Sequence, residues 1–226
     1  MAESPPREPT PEELVQFAES LARPSGELGA KVAAWMETGN APLVRSAQDA
    51  LDARPGEMVV EVGPGSGVLS EAMARALGPN GVLHLVEHAP DMAQAAAQNL
   101  SGPGLPPVRV HVGDWTDAQI SAEGVDGVIA VNVVYFVADL SGFMKACSGW
   151  LRPGGRLVLG IRSLTFMKSI PVTKHRFILR PLDDYFLALD DAGFEHITAR
   201  YHPEAPMEQA GEAVALDGIV LHARRG

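Results

Sequence analysis

Three carboxylates fall at the ends of successive apolar runs. Glu61 lies within Val59-Val60-Glu61-Val62, Glu87 closes Val82–Glu87, and Asp114 stands just beyond Val108–Val112. Directly after the first run comes Gly63-Pro64-Gly65-Ser66-Gly67, three alternating glycines that lead into a helix-forming segment. Glycine lacks the Cβ that would hold a ligand off the backbone and permits φ > 0, so such a turn lets a small molecule lie against bare main chain. A carboxylate ending the second run, 20 residues after Gly67, can accept hydrogen bonds from both hydroxyls of a ribose, each strengthened by its charge. A dinucleotide fingerprint would need its third glycine at position 68, where this chain has Val68. The ordered triplet of acids is more telling than any one of them.

These residues need a scaffold, and the surrounding sequence supplies one. From Pro55-Gly56 onward short Val-rich runs alternate with helical segments: strands over 58–62, 82–87, 108–112, 127–131 and 156–161, with helices over 68–77, 90–100 and 139–151 between them. That texture indicates a parallel, doubly wound sheet. A helix over 181–192 ends at Gly193, and two final strands, 195–201 and 219–223, are expected to pair antiparallel. The fold class is therefore α/β: a seven-stranded, mostly parallel doubly wound sheet with an antiparallel C-terminal edge pair, three layers, and an N-terminal helical extension. Thr10-Pro11-Glu12-Glu13 reads as a capping box, and three short helices are expected over 11–22, 27–37 and 41–53. The organisation expected is a disordered tail over 1–9, a helical cap over 10–54 and the sheet domain over 55–226. Ser25–Gly29, with two glycines, is either a mobile segment or an ordinary connector.

Bulk properties exclude several classes. At 226 residues, 46% of them apolar and 20% charged, the chain can bury a full core as a soluble protein. It has no apolar run long enough to span a bilayer and no signal-peptide order at its start, so a cytoplasmic location is expected. A net charge of −10 disfavours a phosphate backbone as partner. The single cysteine, Cys147, sits in an apolar helical pattern and excludes an intrachain disulfide. Seven histidines lack ligand spacing, so no metal site is expected.

The E-x-G-x-G-x-G pattern of Glu61, Gly63, Gly65 and Gly67, with Glu87 and Asp114 downstream, resembles motif I and its companions in the class I, Rossmann-like S-adenosylmethionine-dependent methyltransferases. Within that family it is most similar to the small-molecule branch of the ubiquinone/menaquinone-biosynthesis type. The resemblance implies S-adenosyl-L-methionine as cofactor. It implies that Glu61 orients the ammonium end of the methionine part and that the glycine turn packs against that part. It implies that Asp114 accepts from the adenine amino group while the Trp115 amide serves the ring, and that Asn132 touches the methionine moiety at the end of the fourth strand. It also implies that Tyr135 and Phe136 wall the acceptor side, and for each of these roles a structural alternative stands beside it: a tight turn for the glycines, a solvent-facing Glu87, a capping Asp114, plain core packing for Tyr135 and Phe136.

The implied activity is in-line transfer of the sulfonium methyl to a small-molecule acceptor. A catalytic base is not identifiable. His88, Tyr135, His175 and His202 are candidates by residue type alone, with Tyr135 beside the acceptor side and His175 in the variable segment after the fifth strand. Asn132 is not followed by the Pro-Pro-aromatic signature of amino-methylating nucleic-acid and glutamine enzymes, which leaves the acceptor unspecified. A nicotinamide oxidoreductase, an aminopropyl-transferring synthase and a non-catalytic cofactor-binding protein are the competing readings.

Overall fold

The computed structural model describes residues 9–226 apart from 122–123, 206, 210–211 and 215. The disordered tail expected over 1–9 thus lies outside the described residues, except for Pro9. At its centre is a seven-stranded sheet of order β3-β2-β1-β4-β5-β9-β6. Strands β1 (Met58–Val62), β2 (Val82–Glu87), β3 (Val108–Val112), β4 (Val125–Val131) and β5 (Leu151–Arg162) run parallel, while β9 (Asp217–Arg225) is antiparallel to both β5 and β6 (Phe194–Pro203). The expected sheet, with its reversed C-terminal pair, is the observed one.

Alternation along the strands divides the core in two. Val59, Leu83, Leu85, Ile129 and Val158 point to one face, against Leu43, Ala47 and Leu51 of α2 (Gly26–Leu51), Leu77 of α3 (Glu71–Leu77) and Ala96 of α4 (Pro90–Asn99). Val60, Val62, Val128, Leu157 and Leu159 point to the other, against Phe143, Met144 and Cys147 of α5 (Leu140–Trp150) and Tyr185 and Leu189 of α7 (Leu182–Asp191). Cys147 is fully buried, and that burial pushes its thiol pKa up, so it serves as packing.

The N-terminal region departs from expectation. Thr10 does form the capping box of α1 (Pro11–Ala22), but two of the three short helices are one, the 26-residue α2 with Pro42 inside it. Pro42 removes the amide that would bond the Thr38 carbonyl, a disruption that usually ends or kinks a helix. Here the helix continues because Leu43, Ala47 and Leu51 are completely buried beneath the sheet. Its second half belongs to the sheet's own helical layer and only its first half overhangs the strand ends. Two smaller differences occur elsewhere. The fifth strand, expected over 156–161, begins earlier, and Arg152–Gly155 is an irregular stretch within β5 with a register shift opposite Val125–Gly127. The connection between β6 and β9 holds a two-stranded hairpin, β7 (Met207–Gln209) with β8 (Glu212–Val214). A short helix, α6 (Leu164–Ser169), and a single 3₁₀ turn, Pro171–Lys174, follow β5.

Candidate functional site

The chain runs outward from β1 to β3 and then returns to place β4 on the other side of β1, so the strand order reverses between β1 and β4. Ligands of open α/β sheets sit beyond the carboxyl ends at such a switch point. A cleft of about 1480 Å³ opens there, and Glu61, Gly63, Gly65, Glu87, Asp114, Trp115 and Asn132 all line it.

The three glycines have different duties. Gly63 (φ +70°) lies so close to Val133 that a Cβ would meet its methyl group at 2.4 Å. Gly67 (φ +77°) is buried and is not part of the cleft wall; its Cβ position is 3.0 Å from Ala96 of α4, so this glycine allows α4 to dock. Gly65 (φ +60°) is the one whose Cβ would meet nothing within 4 Å. The turn therefore offers a ligand the backbone around Gly65, while Gly67, expected to face the ligand, faces a helix.

Glu87 is only 4% exposed. Its two oxygens accept from the Gly65 amide at 3.1 Å and the Ala89 amide at 2.8 Å, with the His88 ring nitrogen 3.5 Å away. These bonds fix the carboxylate against the glycine turn, and a carboxylate has about four acceptor positions, so each oxygen retains capacity for a hydroxyl. Glu61 is 7% exposed and its Oε2 is buried without a hydrogen-bond partner. Burial pushes its pKa up to about 7, opposed by the Ser70 hydroxyl and reinforced by the charge on Glu87. A buried carboxyl of this kind gains most from a cationic partner, which would return it to the ionised form.

Asp114 is exposed and begins the 3₁₀ turn Trp115–Asp117 without any side-chain capping bond, so its alternative duty as a cap is not exercised. Trp115 packs edge-on against Phe143, with ring centroids 5.6 Å apart. Asn132 ends β4 in a left-handed conformation (φ +57°), its Nδ2 donating to Asn40 Oδ1 at 3.0 Å and its Oδ1 buried without a partner. Non-glycine residues held at positive φ cluster at functional sites.

The base candidates fare differently. Tyr135 is buried with its hydroxyl bonded to the Arg162 backbone, and burial pushes its pKa up, so it is a poor proton acceptor. His175 is half-buried and outside the cleft, and His202 bonds Ser46 of α2 at 2.9 Å, also outside it. Of the four, His88 and Tyr135 line the cleft.

Two contributors, the first half of α2 and Arg162, carried no sequence signal. The overhanging half of α2 presents Glu37, Gly39 and Asn40 to the cleft. Glu37 accepts from the Ser66 hydroxyl in the glycine turn, and the Gly39 carbonyl accepts from Arg162 Nη2 at 2.9 Å. Arg162, at the end of β5, is also paired with Glu204. Beyond the strand ends the cleft wall turns apolar, with Phe17 from α1, Phe136 after β4, and Phe166, Met167 and Phe177 from the segment after β5.

A doubly wound sheet whose switch point carries a glycine turn and buried acids is an α/β architecture with room for a nucleoside-bearing molecule. Residues 60–159 match the family model described as a methyltransferase domain. Nocamycin O-methyltransferase of Saccharothrix syringae is 32% identical over 118 residues, 52% of this chain and 42% of that one. A protein-L-isoaspartate O-methyltransferase of Methanothrix thermoacetophila is 32% identical over 143 residues, 63% of this chain and 65% of that one. This chain thus spans less than two thirds of either relative. A methyltransferase of Haloferax volcanii, solved in complex with the Trm112 activator, shares the fold at a TM-score of 0.70 and 16% identity, over 94% of this chain and 97% of that one. No helix among the described residues is long and apolar enough to cross a membrane.

Proposed function

We propose that this chain binds S-adenosylmethionine at the β1–β4 switch point and transfers its methyl group to a small-molecule acceptor held under α1 and the segment after β5. The observation that carries the reading is the pair of buried, unpartnered acceptors, Glu61 Oε2 and Asn132 Oδ1, on the two strand ends flanking the switch point. An ammonium group with three donors suits two such acceptors. A pyrophosphate would be repelled by Glu61, which argues against the nicotinamide alternative. Glu87, anchored by two amides, is the natural partner of the ribose hydroxyls. Asp114, with its side chain uncommitted to capping, and Trp115 fit the adenine end.

The cofactor supplies an electrophilic methyl on a sulfonium. The chain's own contribution is alignment and dehydration. The Gly65 turn and Glu87 fix the nucleoside side, and Phe17, Phe136, Phe166 and Phe177 exclude water on the acceptor side. Aligning two reactants can supply about 7–11 kcal/mol in well-oriented cases, which leaves little for a base to do when the nucleophile is already acidic. With Tyr135 locked and His175 outside the cleft, no side chain is assigned as base. The overhanging α1 and first half of α2 act as the cap of the site. The relatives differ in acceptor, one of them acting on protein by its name, and none bears on the quinone-biosynthesis subtype. The small-molecule acceptor rests on the enclosed apolar wall.

Calorimetry with S-adenosylhomocysteine and with NAD tests the proposal. Binding of S-adenosylhomocysteine with no detectable NAD binding is expected. Preference for NAD, or indifference to both at millimolar concentration, would end it.

A further inference from the structure

One turn of α2 touches every strand end that borders the switch point. Glu37 accepts from Ser66 in the turn after β1, Gly39 accepts from Arg162 at the end of β5, and Asn40 accepts from Asn132 at the end of β4. Glu37, Gly39 and Asn40 lie outside the matched stretch 60–159. The Asn40 bond has a chemical consequence. A primary amide has one donor end and one acceptor end, and a neighbour that can take the donor end decides where the acceptor end points. With Asn132 Nδ2 engaged by Asn40 Oδ1 at 3.0 Å, Asn132 Oδ1 is left buried and unpartnered at the cleft. Its left-handed backbone (φ +57°) fixes the direction from which the side chain leaves β4.

We propose that Asn40 is a positioning residue for cofactor selection: it turns the Asn132 amide so that its oxygen, with the Glu61 carboxylate, forms a two-acceptor seat for the amino-acid end of the ligand. This rests on the site reading given above and extends it to a residue of the N-terminal helices. The seat recognises an aliphatic ammonium group, not the nucleoside. Losing it costs affinity only for ligands that carry that group.

S-Adenosylhomocysteine and 5′-methylthioadenosine form a matched pair for the test, since the second has the nucleoside and sulfur but no amino-acid end. Dissociation constants of both are measured by calorimetry for the wild-type chain, Asn40→Ala and Asn40→Asp. In Asn40→Ala the Asn132 amide loses its anchor, and S-adenosylhomocysteine is expected to bind about 10-fold more weakly, the loss of one charge-assisted hydrogen bond, with 5′-methylthioadenosine within about 2-fold of wild type. Asn40→Asp keeps an oxygen acceptor for Asn132 Nδ2 and should discriminate between the ligands as wild type does. Unchanged discrimination in Asn40→Ala, an equal loss for both ligands, or the same loss in Asn40→Asp would each overturn the proposal. Retained 5′-methylthioadenosine binding reports that a variant is folded, and Asn40→Leu, similar in volume and without an acceptor, replaces Asn40→Ala where that variant does not fold. Wild-type protein that binds neither ligand would instead refute the site reading itself, an outcome distinct from those.

Discussion

The two walls of the cleft are built on different principles. The wall formed by β1, β2 and β3 is made of short-range structure: a carboxylate in or just after a strand, then a turn, with Gly65 and Ala89 amides bracing Glu87 from 22 and 2 residues away. The opposite wall is assembled from distant pieces: α1, Phe136 and the segment after β5 supply apolar surface, and the first half of α2 accepts hydrogen bonds at Glu37, Gly39 and Asn40. The first wall is polar, fixed by hydrogen bonds and suited to one invariant ligand. Away from that α2 contact the second is greasy and non-directional, and can be reshaped by substitution without disturbing the sheet. Under the proposed function, such a division would separate recognition of the methyl donor from recognition of the acceptor.

The sharpest test of that division is a pair of substitutions. Glu87→Ala removes the acceptor proposed for the ribose and should weaken S-adenosylhomocysteine binding about 10- to 100-fold, as expected for hydrogen bonds to a charged group. Phe17→Ala on the opposite wall should leave that dissociation constant within about 2-fold, the range of a neutral surface change. Calorimetry on the two variants decides it. Comparable losses in both would mean the walls act together and would remove the separation.

A second test uses the charge inside the polar wall. In the ligand-free protein the Glu61 carboxyl has its pKa raised to about 7, chiefly by burial. A ligand ammonium favours the ionised form, so binding expels a proton wherever Glu61 is protonated beforehand. Affinity for S-adenosylhomocysteine should therefore be level above pH 7 and fall towards about 10-fold per pH unit below it, with Glu61→Gln flattening the profile. The sign for stability is the reverse. Because the folded pKa lies above that of an unfolded glutamate, Glu61 makes the ligand-free protein less stable as pH rises from about 4.5 to 7. Affinity that improves on acidification would show that Glu61 faces no cation.

How far these features were legible follows the same division. Strands β1 to β5 were readable from runs of Val and Ile, and the acids of the polar wall from their places at strand ends, because each depends on neighbours in sequence. The close approach of Gly67 to α4 was not legible, because it is set by Ala96, across the α4 packing surface. The Gly39-Asn40-Ala41-Pro42 stretch looked like a helix break because local propensity disfavours it, and burial of Leu43, Ala47 and Leu51 overrides that propensity. Asn40 carried no signal, since its partner Asn132 is 92 residues away. The pairing of β7 with β8 carried no signal, since three-residue strands are too short to show an alternating pattern.

The smallest expected effect concerns the place where the two walls meet. Ser25 precedes α2 but makes no side-chain cap; the Gly26 amide donates to Asp91 of α4 at 2.9 Å instead. Asp91 lies two residues beyond Ala89, whose amide braces Glu87, and Ala33, Ala89 and Met92 pack as one small cluster beneath this contact. A ribose seated on Glu87, as proposed, would steady Ala89 and, through Asp91, the start of α2. Amides of 26–29 should therefore exchange severalfold more slowly when S-adenosylhomocysteine is bound, whereas the interior of α5, already buried against the far face of the sheet, should change far less. Hydrogen exchange followed by mass spectrometry resolves both segments. Equal exchange of 26–29 with and without ligand would show that the cap is indifferent to the donor site, and the two walls would then be coupled only through the acceptor.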